Sequence, residues 1–151
     1  MSNIFGKVIL KKQMSEKRKY LPTFSELIDR LSIVQLKEFL IKEHRNEYSQ
    51  EIKNILHDID LDIEENNIVC DAKTIRAIIV LVIMNREIWL NEGNWRKGIR
   101  EGNNLELTHG LNSIRNDSKN RIQEKSGGRK DYKLDNVEAY PEWIPSWNNE
   151  K

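Results

Sequence analysis

The chain has 151 residues, of which 32% are charged and 38% belong to the apolar set AVILMFWYC. This length and apolar content predict one folded domain with tails, and they argue against a wholly disordered chain. The 25 basic and 24 acidic residues nearly cancel, so the net charge indicates no general affinity for polyanions or membranes. A single cysteine, Cys70, excludes a disulfide within the chain and zinc sites built from several cysteines.

The sequence also lacks the patterns that direct a protein into a membrane or out of the cell. No run of 18 apolar residues occurs, and the first residues, MSNIFGKVILKKQ, have neither the long apolar stretch nor the cleavage site of a secretory signal. We therefore expect a cytoplasmic protein that does not cross a membrane.

Charge is distributed along the chain in blocks, although its sum is small. Residues 1–19 hold six basic residues and one acidic residue, and residues 43–65 hold eight acidic residues and two basic ones. Residues 115–133 are basic again. Alternating blocks favour self-association through opposite patches, or a local anion site, over general polyanion binding.

Two helices are predicted in the first half of the chain, after a basic arm at residues 1–21. Thr23 and Glu26 fit a capping box, in which each side chain accepts a hydrogen bond from the other residue's backbone N–H at the start of a helix. Apolar residues then recur at helical spacing as far as Ile41. A second helix is predicted over residues 48–65, and the Asn66-Asn67 pair that follows is typical of a helix C-terminus.

The third predicted helix, residues 72–92 with Asp71 as its cap, contains eight consecutive apolar residues from Ala77 to Met84. Their β-branched content would also suit a buried strand, but the absence of any turn signal over this length favours a helix. Because such a run has no polar face, it should be covered on all sides, at the centre of a bundle or at an oligomer seam. A loop is expected to follow, marked by Gly93, Gly98 and Gly102.

A fourth helix is predicted over residues 105–125, where Gly127-Gly128 provides a C-terminal stop. The tail at residues 136–151 should be extended, because prolines are spaced by aromatic residues, and it should clamp onto a surface through Tyr140, Trp143, Ile144 and Trp147. The predicted fold is therefore all-α: a helical domain over residues 22–135 built as a bundle around the central apolar helix 72–92. The N-terminal arm and the C-terminal tail flank this domain, and we expect a homo-oligomer.

Polar side chains follow one face of the fourth helix and the loop after it. At about 100° per residue, one stripe holds His109, Asn112, Asn116, Lys119 and Gln123, with Arg115 on its flank. Asparagine costs about 0.5 kcal/mol or more relative to alanine in a helix, so its repeated use here indicates a role. Amide, imidazole and cationic groups suit phosphate oxygens and base or ribose edges. The loop adds positive charge and a ring for stacking, through Arg129, Lys130, Lys133 and Tyr132.

We interpret this strip as an anion or nucleotide site; the alternative is a solvated helix face that ends in a charged loop. A second candidate cluster contains Arg86, Trp89, Trp95 and Arg96, because arginine beside tryptophan can stack a base or bind a partner. Of these, Trp89 and Arg96 are added to the predicted ligand-binding residues, although Trp89 would equally suit a core.

Enzymatic chemistry receives less support from the sequence. In the acidic second helix, Glu47, Glu51, His57 and Asp58 could bind Mg²⁺ or Mn²⁺. All-α nucleotide pyrophosphohydrolases use an ExxE…ExxD pattern, which this helix does not meet. No Ser/His/Asp arrangement, phosphate loop or dinucleotide glycine pattern occurs. We therefore predict no catalytic residue, metal or cofactor, and we interpret Cys70 as a small buried residue.

Two segments carry a resemblance to known proteins: FSELIDRLSIVQLKEF at residues 24–39 and LTHGLNSIRNDSKNRIQEKSGGRKDYKLD at residues 107–135. They are similar to small proteins of tailed bacteriophages in which an ELID-type helix precedes an LTHxLNxIRN…GGRxDYK segment. The resemblance covers about half the chain and does not extend to the aromatic tail. It implies a phage origin and the cytoplasm of a host cell. By class analogy, such accessory proteins include anti-defence proteins that sequester nucleotide immune signals.

The sequence thus predicts a non-enzymatic phage accessory protein that binds and sequesters a phosphate-bearing, nucleotide-type small molecule. A host immune signalling nucleotide is one ligand of this class. Three alternatives stay open: a nucleic-acid-binding accessory protein that uses residues 1–19 and 115–133, a metal-dependent all-α nucleotide hydrolase, and an interaction protein that binds a partner through its tail.

Overall fold

A computed structural model of the protein describes residues 4–8, 19–99, 104–128 and 144–149. Within these ranges the protein is helical and contains no β-strand, which confirms the all-α prediction. The long helices are α1 (Phe24–Leu40), α2 (Arg45–Asn66), α3 (Ala72–Arg96) and α4 (Asn104–Gln123). Short 3₁₀ turns cover Lys42–His44 and Ser146–Asn149, and residues 4–8 are helical.

The helices pack as a bundle in which α1 contacts each of the other long helices. Helices α3 and α4 also pack against each other, whereas α2 packs against α1 alone among the described long helices. Apolar residues from every long helix are buried where these elements meet, and the core also contains a residue of the C-terminal 3₁₀ turn. Its buried members include Phe24, Ile28, Val34, Ile55, Ile59, Ala77, Leu81, Ile122 and Trp147.

The helix boundaries follow from capping residues that can be identified in the sequence. The Thr23 backbone N–H donates to Glu26 Oε2 at 2.7 Å, and the Glu26 N–H donates to Thr23 Oγ1 at 3.3 Å, so the capping box is present. Asn67 ends α2 in the left-handed region with a φ of 50°. Gly127, with a φ of 68°, lies in the turn after α4. Each of these positions agrees with the prediction for it.

Asp71 caps α3 and also ties it to the end of α4. Its Oδ1 accepts hydrogen bonds from the Thr74 backbone N–H (2.9 Å) and the Thr74 hydroxyl (2.8 Å), and Lys125 Nζ lies 2.9 Å from Oδ2. The bond from the Thr74 N–H and the neighbouring Lys125 ammonium together hold the pKa of Asp71 well below its ordinary value.

This lowered pKa predicts a pH-dependent stability. Because the folded-state pKa of Asp71 lies below the unfolded-state value of about 3.9, its stabilising effect is present above pH 4 and is lost as the pH falls toward the folded-state pKa. Asp71→Asn keeps a capping side chain but removes the charge. The variant should melt below the wild type at pH 7, and the gap should narrow between pH 4 and pH 2. Thermal unfolding across this range tests the prediction, which a pH-independent gap would contradict.

The structure corrects the expected course of α3 and of the tail. Helix α3 runs to Arg96, past Gly93, because one glycine within a helical segment is tolerated and the left-handed Gly98 (φ 77°) ends the helix turn instead. Ser146–Asn149 forms a 3₁₀ turn where an extended conformation was expected. Trp147 is 4% exposed, and the guanidinium groups of Arg76 and Arg121 lie 5.3 and 4.5 Å from its ring centre.

The described residues therefore test only part of the clamping role predicted for the tail. Trp147 does pack against the protein's own helices, whereas Ile144 is exposed. Tyr140 and Trp143 lie outside the described residues, as do the loop glycine Gly102 and most of the basic arm. The interpretation of Cys70 as buried is wrong: the residue is exposed, because it lies in the short connection between α2 and α3.

Within one chain, the described residues do not cover the apolar run of α3 on every side, so the prediction that it lies at the centre of the bundle is not met, and the oligomer seam stays a prediction. Ala77, Leu81 and Met84 are buried, but Ile79 and Ile83 are exposed by 55% and 47%. Among the described long helices, α3 contacts α1 and α4 and makes no contact with α2, which packs on α1. Among the helices that the structure describes, none combines the length and apolar content needed to span a lipid bilayer.

Candidate ligand-binding site

A polar network at the junction of α1, α3 and α4 centres on Asp29, whose side chain is 9% exposed. Its carboxylate accepts hydrogen bonds from Asn85 Nδ2 (2.9 Å), Arg115 Nε (3.2 Å) and Arg115 Nη2 (2.5 Å). Lys119 Nζ lies 3.7 Å away, and Asn85 also donates to the Ser32 hydroxyl at 2.6 Å. One buried carboxylate thus links three helices.

This network changes the role of two predicted ligand-binding residues. Arg115 and Lys119 have side-chain exposures of 23% and 15%, and both already have an acidic partner in the same chain. Asp29 therefore compensates one of the two positive charges that the sequence analysis assigned to ligand phosphate on these residues. Lys119 contributes mainly to the network, whereas Arg115 also reaches a cavity that adjoins it.

A cavity of about 550 Å³ opens beside the network, between α1, α3 and α4. It brings together four of the predicted residues: Trp89, Arg96, Asn112 and Arg115. The α3 cluster and the α4 strip, which are separate in sequence, thus share one cavity because α3 and α4 pack against each other. The remaining lining residues are Ile33, Lys37, Asn85, Ile88, Glu92 and Gly93.

The cavity lining carries more positive than negative charge. Its basic residues are Lys37, Arg96 and Arg115, and its acidic residue is Glu92. Asp29 lies behind Arg115, outside the lining. Arg96 Nη2 lies 3.5 Å from Glu92 Oε2, but its side chain is 78% exposed, so this pair is weak and Arg96 can turn toward an anion. A second cavity of about 320 Å³ shares Glu92 and Arg96 and extends the concave surface toward Trp95 and Thr108.

The polar strip of α4 does not act as one surface. Asn112, Arg115 and Lys119 lie on the flank toward the cavity and the network. Asn116 is half-buried and His109 is exposed, and neither lines the cavity. The loop residues Arg129, Lys130, Tyr132 and Lys133 lie outside the described residues, so their predicted roles remain predictions.

Three important residues were missed by the sequence analysis: Asp29, Lys37 and Asn85. A signal for two of them exists in the sequence. Ser25, Asp29 and Ser32 recur at helical spacing and are all buried, so α1 has a polar stripe beside its apolar one. Asn85 directly follows the apolar run of α3 and is 6% exposed. Buried polar residues in such positions need a partner, which the Asp29 network supplies.

The acidic face of α2 offers no comparable site. Glu51 accepts two hydrogen bonds from Arg30 (2.9 and 2.5 Å), and His57 Nδ1 lies 3.2 Å from the adjacent Asp58. Over the ranges that the structure describes, no group of three or more His, Cys, Asp or Glu side chains is arranged to hold a metal ion.

Comparison with protein-family models, with curated proteins and with solved structures finds no match to this chain. A functional assignment therefore rests on the chemistry of the cavity itself.

Proposed function

We propose that the protein binds a phosphate-bearing, nucleotide-type small molecule in the cavity between α1, α3 and α4, and holds it without turnover. The observation that carries this proposal is the convergence of an aromatic ring, an amide and three basic side chains on one cavity of about 550 Å³. This volume lies within the range typical of small-molecule sites, roughly 300–1,000 Å³.

Each lining group has a role that its chemistry supports. The Trp89 ring offers a face on which a base can stack, and the Asn112 amide can donate to and accept from base or ribose edges. Lys37 and Arg96 supply positive charge for phosphate oxygens. Arg115 has five N–H groups, of which Asp29 accepts two, so the guanidinium is held in a fixed orientation while it can still donate to a ligand.

The residues favour ligand binding without catalysis. The sequence contains no complete catalytic motif, and the described part of the chain contains no group of residues arranged for a metal ion. The sequence resemblance to phage proteins supports a biological setting for the proposal. In a host cell, a phage protein that retains a nucleotide immune signal would suppress the signal by sequestration.

Isothermal titration calorimetry with adenine and guanine mononucleotides, dinucleotides and cyclic dinucleotides tests the proposal. Two or three charge-assisted hydrogen bonds contribute about 3–9 kcal/mol in all, so together with a base stacked on Trp89 they support a dissociation constant of about 1–100 µM for at least one member of this panel. Chromatography of the same mixture with Mg²⁺ should show unchanged nucleotide. Absence of binding across the panel would contradict the proposal, and product formation would favour the hydrolase.

Salt dependence distinguishes this proposal from nucleic-acid binding. A pocket that binds one small nucleotide releases no condensed counterions, so its affinity should change little between 50 and 200 mM salt, whereas a surface that contacts 6–10 phosphates of a duplex loses about 10³–10⁵-fold. Titration of a DNA duplex in parallel supplies the comparison. Strong, steeply salt-dependent duplex binding without nucleotide binding would favour the alternative.

A further inference from the structure

The cavity of about 320 Å³ adjoins the larger one of about 550 Å³, because Glu92 and Arg96 line both. The other described residues around the smaller cavity come from the end of α3 and the start of α4: Asn91, Trp95, Leu105 and Thr108. A ligand that occupies both cavities must therefore pass Glu92 and Arg96.

Each cavity contains a tryptophan, and the shared charged residues lie between the two. Trp89 lines the larger cavity and Trp95 the smaller one. Their positions on α3 differ by about 9 Å along the helix axis and by about 120° around it. Within this arc, Glu92 lies about 60° from each tryptophan, and Arg96 lies about 20° from Trp89. Two aromatic residues thus flank one acidic and one basic side chain.

The smaller cavity suits a flat, uncharged group. Trp95 and Leu105 are 46% and 60% exposed, so each presents apolar surface beside the cavity. Asn91 Nδ2 donates to Thr108 Oγ1 at 2.5 Å, so this polar wall is already hydrogen-bonded. Among the described lining residues, the sole basic one is Arg96, which is shared with the larger cavity. A base stacked on Trp95 fits this lining better than a second phosphate does.

The charges where the cavities meet favour a phosphodiester over a terminal phosphate. The Arg96 side chain is 78% exposed and its pair with Glu92 is weak, so its guanidinium can turn toward an anion. A diester carries one negative charge, whereas a terminal phosphate carries about −1.5 to −2 at pH 7. The Glu92 carboxylate beside Arg96 therefore repels a diester less than it repels a terminal phosphate.

We infer that the ligand is a dinucleotide, with its two bases on Trp89 and Trp95 and its phosphodiester at Arg96. The bases are splayed apart, as in the recognition of single-stranded RNA, since each tryptophan faces a different cavity. This inference rests on the proposed function, and it narrows the ligand from nucleotides in general to two nucleosides joined by one phosphate.

Calorimetry with two matched pairs of ligands tests the inference. Diadenosine monophosphate is compared with the methyl ester of AMP, and diguanosine monophosphate with the methyl ester of GMP. The members of each pair have the same phosphodiester charge and differ in the second nucleoside. Stacking contributes about 1–3 kcal/mol per base, so the dinucleotide of at least one pair should bind about 5–150-fold more tightly than its methyl ester.

Variants of the smaller cavity show whether the second base lies there. Trp95→Ala should bring the affinity of the dinucleotide close to that of the methyl ester, whereas Trp95→Phe should keep most of the preference. Leu105→Trp should also remove the preference, because it fills the smaller cavity. The matched control Phe39→Ala removes a ring that is 71% exposed and lines neither cavity, so it should keep the preference. Thermal unfolding followed by circular dichroism checks that each variant is folded.

Three results overturn the inference. Equal affinities within both pairs would mean that the larger cavity alone binds the ligand, and they would leave the proposed function intact. A preference that survives both Trp95→Ala and Leu105→Trp would mean that the second base lies elsewhere. Absence of binding by every nucleotide and ester would overturn the proposed function and the inference together.

Discussion

Asp29→Ala should lower the free energy of unfolding by about 3 kcal/mol. The substitution removes the acceptor shared by Asn85, Arg115 and Lys119 and leaves their donors facing one another at the junction of three helices. Breaking a buried ion pair costs about 3–5 kcal/mol, and the partial exposure of Arg115 places the expected value at the low end of that range. Urea denaturation measures it, and thermal unfolding should show a melting temperature lower by about 6–12 °C.

Two control substitutions distinguish the loss of the Asp29 network from the general effect of removing an acidic side chain. Asp29→Asn keeps the shape and one acceptor oxygen, so its cost should be clearly smaller than that of Asp29→Ala. Glu51→Ala removes an acid from the pair with Arg30, where the side chains are 35% and 55% exposed. Exposed pairs contribute about 0–1 kcal/mol, so this variant should unfold close to the wild type. Equal losses for Asp29→Ala and Glu51→Ala would show that the network does not stabilise the bundle.

Trp147→Ala should destabilise the protein by about 3–5 kcal/mol, the usual cost of removing a large buried aromatic side chain. Trp147 joins the core from the C-terminal 3₁₀ turn, and its ring also stacks with Arg76 and Arg121 of α3 and α4. Truncation after residue 135 should cause a loss of at least this size, because it removes the same ring. Denaturant unfolding followed by circular dichroism measures both variants.

Trp147→Phe is the matched variant for this position. It keeps an aromatic ring beside the two guanidinium groups and removes the buried indole Nε1, which has no acceptor among the described residues. Its cost should therefore be well below that of Trp147→Ala, about 1 kcal/mol. An unchanged melting temperature for Trp147→Ala or for the truncated chain would show that the tail contributes nothing to the fold.

The features that the sequence predicted well are those set by neighbouring residues. The Thr23–Glu26 capping box, the Asp71 cap and the left-handed Asn67 depend on side chains within a few positions of each other, so a local pattern is sufficient to identify them. On α4, Leu111, Ile114, Ser118 and Ile122 recur at helical spacing and are all at most 2% exposed, whereas Leu107, at the start of the same stripe, is 38% exposed.

The features that the sequence did not predict depend on which helices meet. Helical spacing places Arg115 and Lys119 on one flank of α4, but it cannot show that Asp29, 86 residues before Arg115, lies opposite them. The sequence likewise does not show where α2 packs, so the partial exposure of the apolar run of α3 could not be predicted from it. The cavity combines residues from α1, α3 and α4, so the sequence could nominate Trp89 and Asn112 separately without placing them together.

The central claim, that the cavity holds a phosphate-bearing nucleotide-type ligand, is tested most directly by native mass spectrometry. The protein is incubated with a small-molecule extract of bacterial cells and weighed with what it retains. Lys37→Ala/Arg96→Ala removes two cavity bases that lie outside the Asp29 network, and Lys42→Ala/Lys53→Ala removes two exposed bases elsewhere. We expect the wild type and Lys42→Ala/Lys53→Ala to retain the same phosphorus-containing molecule and Lys37→Ala/Arg96→Ala to lose it. A wild-type protein that retains nothing, or equal retention by both double variants, would contradict the claim.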